Sequence, residues 1–264
     1  MSADSADCSD RSMRLNAFIA RCGEYSRRRA DDLIRSGRVR VNGRPGEIGE
    51  RVRLETDVVT VDDRQLALPS EYTTILLHKP AGYLVSRSDP HHEHMVYDLL
   101  PDSHRHLVPV GRLDLESEGL LLLSDDGALV EKLTHPRHQV PKVYRAIVNG
   151  IPDRESLERL RTGIEIEGRM TQPAEVRVVA RRNGDTELEI VLREGRKRQV
   201  RLMCRAIGHR VKYLIRVQFG SLSLNGVERG HWRMLTRREV DDLASGIEMN
   251  DRQGAVSPLG GSAE

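Results

Sequence analysis

Between residues 13 and 61 the spacing of apolar positions changes from a helical to an extended period. Leu15, Phe18, Ile19 and Cys22 recur at the i, i+3, i+4, i+7 positions of one helix face, and Gly23 ends that run. Ser26 supplies a cap for a second helix that carries Ala30, Leu33 and Ile34 and closes at Gly37. From Val39 the period falls to two: Val39 and Val41 alternate with Arg38 and Arg40 and run into the turn pair Asn42-Gly43. Val52, Leu54, Val59 and Val61 predict further short strands. The pattern describes a unit of about 55 residues, two helices followed by a small sheet.

Pro69 to Thr73 reads as a linker. Beyond it, Ile75-Leu76-Leu77 predicts an apolar strand ending at the basic turn Lys79-Pro80-Ala81-Gly82-Tyr83. Strand patterns recur at 107–110, 120–123, 143–148, 174–179 and 188–192, with helical patterns at 128–133, 156–160 and 199–207. Strands and helices interleave irregularly, which favours an α+β fold over a regular βαβ series. The expected organisation is a disordered tail at 1–12, a small helix-helix-sheet domain at 13–70, a mixed or antiparallel-sheet domain at 72–249 and a flexible tail at 250–264.

Composition narrows the class. Hydrophobic residues make up 38% of the 264, but aromatics only 3%, so the cores must be built from Leu, Val and Ile. No apolar run approaches the ~20 residues that span a bilayer. Met1 to Asp10 is polar and acidic, unlike a signal peptide, so a cytoplasmic protein is expected. Cys8, Cys22 and Cys204 are odd in number and widely spaced, which supports neither a disulfide framework nor a zinc site. The net charge of +2 conceals two basic blocks. Residues 13–45 carry +6 and residues 193–216 carry +8, so the rest of the chain carries −12. Such segregation is the electrostatic footprint of a polyanion binder.

The candidate chemistry centres on Gly111-Arg112-Leu113-Asp114, a short loop ahead of the buried run Leu120-Leu121-Leu122-Leu123. An Asp here can act as nucleophile or base, and an Arg two residues away can hold a phosphate or a displaced base. His91, His92, His94, His104 and His106 invite a metal reading, but the segment has turn text at Asp89-Pro90 and no ligand scaffold at the right spacing. A solvent-facing loop is the expectation, with no metal.

Several separated motifs appear in order: Lys79-Pro80-x-Gly82, Gly111-Arg112-Leu113-Asp114, Gly119–Leu123 with Asp126-Gly127, Thr134-His135-Pro136, Lys142-x-Tyr144, Glu194-Gly195-Arg196-x-Arg198-Gln199-Val200-Arg201, and Arg233-x-Leu235-Thr236. Together they resemble the RsuA/RluB family of pseudouridine synthases over roughly residues 72–240. The first unit resembles the αL-type RNA-binding module that the family commonly carries ahead of this domain. The matching text includes Ser26-Arg27-Arg28, Ala30–Ile34 and Gly37–Gly43.

The resemblance implies isomerisation of uridine to pseudouridine in ribosomal RNA, by a monomer needing neither cofactor nor metal. The N1–C1′ bond breaks, the uracil turns, and C5 rejoins C1′. Asp114 matches the family's catalytic Asp, which either attacks C1′ or abstracts the C2′ proton. Arg201 matches the cation expected to keep that carboxylate charged. Tyr144 matches the Tyr that stacks on the extracted base. Arg112 is expected to fill the gap that the flipped nucleotide leaves. Arg196, Lys197, Arg198 and Lys79 are expected at flanking phosphates, and Arg27, Arg28, Arg38 and Arg40 on structured RNA. The chain departs from the usual text at Ser117, at Ser124-Asp125-Asp126, at Pro141 and at Leu202. Large-subunit rRNA is the preferred substrate, from the text around Tyr83–Pro90 and Arg216–Gly220, with small-subunit rRNA the alternative. A non-catalytic ribosome-assembly factor would suit an altered Asp114 or Tyr144, and both are intact. A metal-dependent nuclease would need clustered carboxylates, which the sequence lacks.

Overall fold

The computed structural model describes residues 12–23 and 25–254. The chain divides between Tyr72 and Thr73 into two compact units. Residues 1–11 of the tail expected at 1–12, Cys8 among them, and residues 255–264 lie outside the described residues.

In the first unit, β1 (Ser12–Arg14) leads into α1 (Leu15–Arg21) and α2 (Arg27–Arg35). Then follow β2 (Val39–Val41), β3 (Arg44–Pro45), β4 (Arg51–Arg53), β5 (Val59–Val61) and β6 (Arg64–Gln65). The Ser26 side chain accepts from the Arg29 amide at 3.2 Å, capping α2 as its position requires. Asn42 and Gly43 both take positive φ, 51° and 82°, which gives the tight turn its direction. Leu15, Phe18, Ile19, Ala30, Leu33, Ile34 and the valines of the strands close one core. Ser12, expected in the disordered tail, instead pairs with Arg53 across β1 and β4.

The second unit is a nine-stranded mixed sheet. Its elements are β7 (Thr74–Lys79), β8 (Val108–Pro109), β9 (Glu118–Ser124), α3 (Gly127–Thr134), β10 (Lys142–Asn149) and α4 (Arg154–Thr162). After the small hairpin β11 (Glu165–Ile166) and β12 (Arg169–Met170) come β13 (Glu175–Arg182), β14 (Asp185–Leu192) and α5 (Gln199–Ala206). The chain continues through β15 (Val211–Phe219), β16 (Leu222–Ser223), β17 (Trp232–Met234) and α6 (Arg237–Gly254). The strand order is β13-β14-β10-β15-β9-β7-β17, with β8 beside β9 and β16 beside β15. All neighbours run antiparallel except β9 and β15. Helix α6 carries ordered backbone to Gly254, so the tail expected from 250 begins inside a helix.

The run Leu120–Leu123 is continuous because β9 is covered on both faces. Leu120 and Leu122 join α3 and α6 in one core, while Leu121 and Leu123 join Val96, Tyr97 and Leu107 in another. Full burial of each such Leu stabilises the fold by roughly 1.5–3 kcal/mol. A third core lies between β10, β13, β14 and helices α4 and α5. At the head of β9, Gly119 sits at φ 109°, and a Cβ there would stand 2.2 Å from the Arg216 carbonyl oxygen. Only glycine lets β9 and β15 approach this closely. That contact fixes Arg216 in the middle of the sheet.

Candidate active site

Residues 110–117 form the loop between β8 and β9 that carries Asp114. Leu113 is buried and anchors the loop in the core of Leu121 and Leu123. The Ser117 amide donates to the Asp114 carbonyl at 3.0 Å, closing a turn. Beneath it lies Lys79, whose side chain is fully buried. Its ammonium donates to the carbonyl oxygens of Pro80 at 2.9 Å, Leu115 at 3.3 Å and Ser117 at 2.8 Å. All three ammonium protons have acceptors. Burial pushes the Lys79 pKa down to about 8, opposed by Glu118 and Asp114. The expectation that Lys79 contacts RNA is therefore corrected: a fully enclosed ammonium clamps the loop that bears Asp114 and cannot reach a phosphate.

Asp114 is half-buried and lines a cleft of about 520 Å³. Tyr144, from β10, and Arg112 line the same cleft, as do Lys142, Lys197, Arg198, Arg216 and Phe219. Arg112 and Lys197 are exposed, and neither has an ion-pair or hydrogen-bond partner among the described residues. Arg198, in the left-handed conformation at φ 54°, occupies the N-cap position of α5 and makes no side-chain capping hydrogen bond there.

Of two other arginines, Arg196 is placed differently from expectation and Arg201 takes a partner besides Asp114. The Arg196 guanidinium donates to the carbonyls of Arg169 at 3.1 Å, Met170 at 3.2 Å and Ile166 at 2.8 Å. It ties the loop before α5 to the β11–β12 hairpin, which corrects its assignment to a phosphate. Arg201, expected beside Asp114, is held by Glu116. Its Nη2 donates to the Glu116 carbonyl at 3.1 Å, and its Nε lies 3.6 Å from the Glu116 carboxylate. Arg198 reaches the same carboxylate at 3.2 Å. The reason is helical spacing: Arg198 and Arg201 are three apart at the start of α5 and face one acid. Burial lowers the Arg201 pKa, opposed first by Glu116 and more weakly by Asp114. Arg201 lines a second, separate cleft with Asn149, Arg210 and Lys212.

In the first unit Arg27, Arg28, Arg38 and Arg40 are all exposed. Arg27 and Arg28, with Arg29, occupy the first turn of α2, which contains no acidic residue. Cations there oppose the helix dipole and cost a few tenths of a kcal/mol each, up to about 1. Arg38 is paired with Asp62, and Arg40 donates to the Gly43 carbonyl at 3.2 Å.

The histidines of the 91–106 loop are dispersed. The His92 ring is hydrogen-bonded to Asp89 at 2.8 Å, His94 stacks on Tyr83, His104 on Trp232, and His106 lies 3.5 Å from Asp125. Among the described residues no group of three or more His, Cys, Asp or Glu side chains could hold a metal. Nor does any described helix have the length and apolarity to cross a membrane.

Neither Glu116 nor Arg216 is singled out as a site residue by its sequence context. Glu116 is separated from Asp114 by one residue, and only the docking of α5 shows what it binds. In the sequence Arg216 is a charge in a basic block and part of the Arg216–Gly220 text, but in the fold it is 2% exposed between β9 and β10.

A family profile described as RNA pseudouridylate synthase matches residues 73–206, and the S4 domain matches residues 13–59. The chain is 38% identical over 237 residues to an uncharacterized RNA pseudouridine synthase of Aquifex aeolicus, spanning 89% of this chain and 95% of that one. It is 37% identical over 233 residues to ribosomal large subunit pseudouridine synthase B of Bacillus subtilis, spanning 87% and 95%. A crystal structure of a pseudouridylate synthase superposes with a TM-score of 0.64 at 29% identity, over 88% of this chain and 99% of that one. The chain belongs to the RNA pseudouridine synthase family, in its RsuA/RluB branch with an S4 domain ahead of the synthase domain. Members are isomerases that act on uridine within RNA.

Proposed function

We propose that this protein converts a uridine of large-subunit ribosomal RNA to pseudouridine, with Asp114 as the reacting carboxylate. The observation that carries the reading is one cleft lined by Asp114, the ring of Tyr144 and the unpaired guanidinium of Arg112. A uridine flipped from its stack enters this cleft, its base against Tyr144 and its ribose at Asp114. Arg112, planar and permanently charged, occupies the vacated stack and binds the neighbouring phosphate. Lys197 and Arg198 hold flanking phosphates, while Arg27 and Arg28 of the S4 domain grip a separate RNA element. Asp114 acts at the ribose and Lys79 holds its loop rigid from below. The likeness to the large-subunit synthase of Bacillus subtilis supports the choice of subunit.

The test maps pseudouridine in both rRNAs from cells with and without the gene, then complements with the wild type or Asp114→Asn. One large-subunit site should vanish with the gene and return only with the wild type. In vitro, release of tritium from C5-labelled RNA should fall by at least 10²-fold in Asp114→Asn. Activity within about tenfold of wild type would remove Asp114 from the chemistry. A lost site in small-subunit rRNA would overturn the choice of substrate.

A further inference from the structure

Arg216 is buried and lines the cleft, yet it has no counter-ion. Its Nε donates to the Leu120 carbonyl at 2.8 Å, and its Nη2 is buried without a hydrogen-bond partner. Lys142 lines the same cleft, and its ammonium donates to the Val140 carbonyl at 2.8 Å. The two cations share one ring: the Lys142 nitrogen lies 5.6 Å and the Arg216 guanidinium 5.3 Å from the Phe219 centroid. Burial and the nearby Arg216 push the Lys142 pKa down to about 8, with no carboxylate opposing the shift. A buried unpaired N–H and two uncompensated charges cost free energy that a monomeric fold has no reason to retain. They mark the place of an anion.

The strand register says which anion. Tyr144 on β10 lies directly opposite Arg216 on β15, next to a break in register after Val143. Cross-strand partners project from the same face, with Cβ atoms about 4.5–5.5 Å apart. A base stacked on Tyr144 therefore has its edge beside Arg216.

We propose that Arg216, assisted by Lys142, stabilises the negative charge of the uracil while it is detached from the ribose. This rests on the functional reading above. When N1–C1′ breaks, both bonding electrons leave with N1, and the uracil becomes an anion delocalised onto O2 and O4. C1′ is meanwhile held as an ester of Asp114, or becomes a glycal by giving its C2′ proton to Asp114. C5 of the anion then attacks C1′, the carboxylate or the proton is returned, and the C5 proton is lost as N1 gains one. The anion exists only between the two bond changes. A fixed donor aimed at it acts on the step without having to reorganise.

The test compares single-turnover reaction of two RNAs spanning the mapped site, one with uridine and one with 5-fluorouridine at the target. Loss of the N-linked nucleoside is read by chromatography after digestion. Fluorine at C5 withdraws electron density and makes the departing anion intrinsically more stable. Arg216→Met should slow the uridine reaction about 10²–10³-fold, the loss typical of removing one such donor. Its RNA affinity should stay near wild type, and Arg216→Lys should recover part of the rate. With the fluorinated RNA the deficit of Arg216→Met should shrink at least about tenfold. Equal deficits on both RNAs would show that Arg216 acts on the fold and not on the departing base, overturning the proposal. If Arg216→Met does not fold, Lys142→Met, altered at a half-buried position, carries the same comparison with the same required inequality. A wild type that converts no rRNA uridine overturns the functional reading, and this inference with it. A normal wild type with equal deficits overturns the inference alone.

Discussion

Gly119→Ala should be among the most damaging single substitutions in the synthase domain. A Cβ at this position would stand 2.2 Å from the oxygen and 2.6 Å from the nitrogen of Arg216, both backbone atoms that no rotamer change can move. Adding a side chain at φ 109° costs about 1–3 kcal/mol on its own. Restoring a tolerable contact then requires β15 to move away from β9 by the better part of an ångström. That motion loosens the parallel pairing of Ile215 with Glu118 and of Arg216 with Gly119. Two weakened backbone hydrogen bonds contribute roughly 0.5–1.5 kcal/mol each. The gap opened beside Leu120 and Leu122 adds about 1 kcal/mol or more. The total, about 3–7 kcal/mol, is a large part of the 5–15 kcal/mol that holds a typical domain. Urea unfolding followed by the fluorescence of Trp232, the single tryptophan, which pairs with Leu77 in the same sheet, reads the loss directly. With a slope of about 2 kcal/mol/M the midpoint should fall by about 1.5–3.5 M. A midpoint within about 0.5 M of wild type would refute the close approach of β9 and β15.

The remaining predictions concern RNA and pH. Arg27→Gln and Arg28→Gln should each lower the slope of log K against log salt by roughly 0.7–0.9, read by filter binding, whereas Arg38→Gln, already paired with Asp62, should change it less. Lys142 keeps its proton below about 8 and loses it as pH rises through that value, so kcat/KM, read at subsaturating RNA, should decline above pH 8. Lys142→Arg, whose charge persists, should hold the rate up to a higher pH, and an unchanged alkaline limb would exclude Lys142 as its source.

Much of this molecule was legible in the order of its residues. The helical spacing of Leu15, Phe18 and Ile19, the cap at Ser26 and the turn at Asn42-Gly43 are local properties, and the first unit folds as they dictate. The ordered motifs of the second unit identified the family, and Asp114 and Tyr144, singled out by them, line one cleft. Strand β15 was missed, since its text mixes Lys212 and Arg216 with apolar residues and nothing local says that Arg216 is enclosed. Lys79, Arg196 and Arg201 were read as cations facing RNA or Asp114. The fold gives Lys79 and Arg196 to backbone carbonyls, while Arg201 binds Glu116 and its charge also interacts with that of Asp114. Charge is written in the sequence, but the partner of a charge depends on which distant segments pack around it. Here the Gly119 contact, the docking of α5 on Glu116 and the pairing of β10 with β15 made those choices. They are set by close packing across about 60 to 100 residues of chain, and no local pattern encodes them.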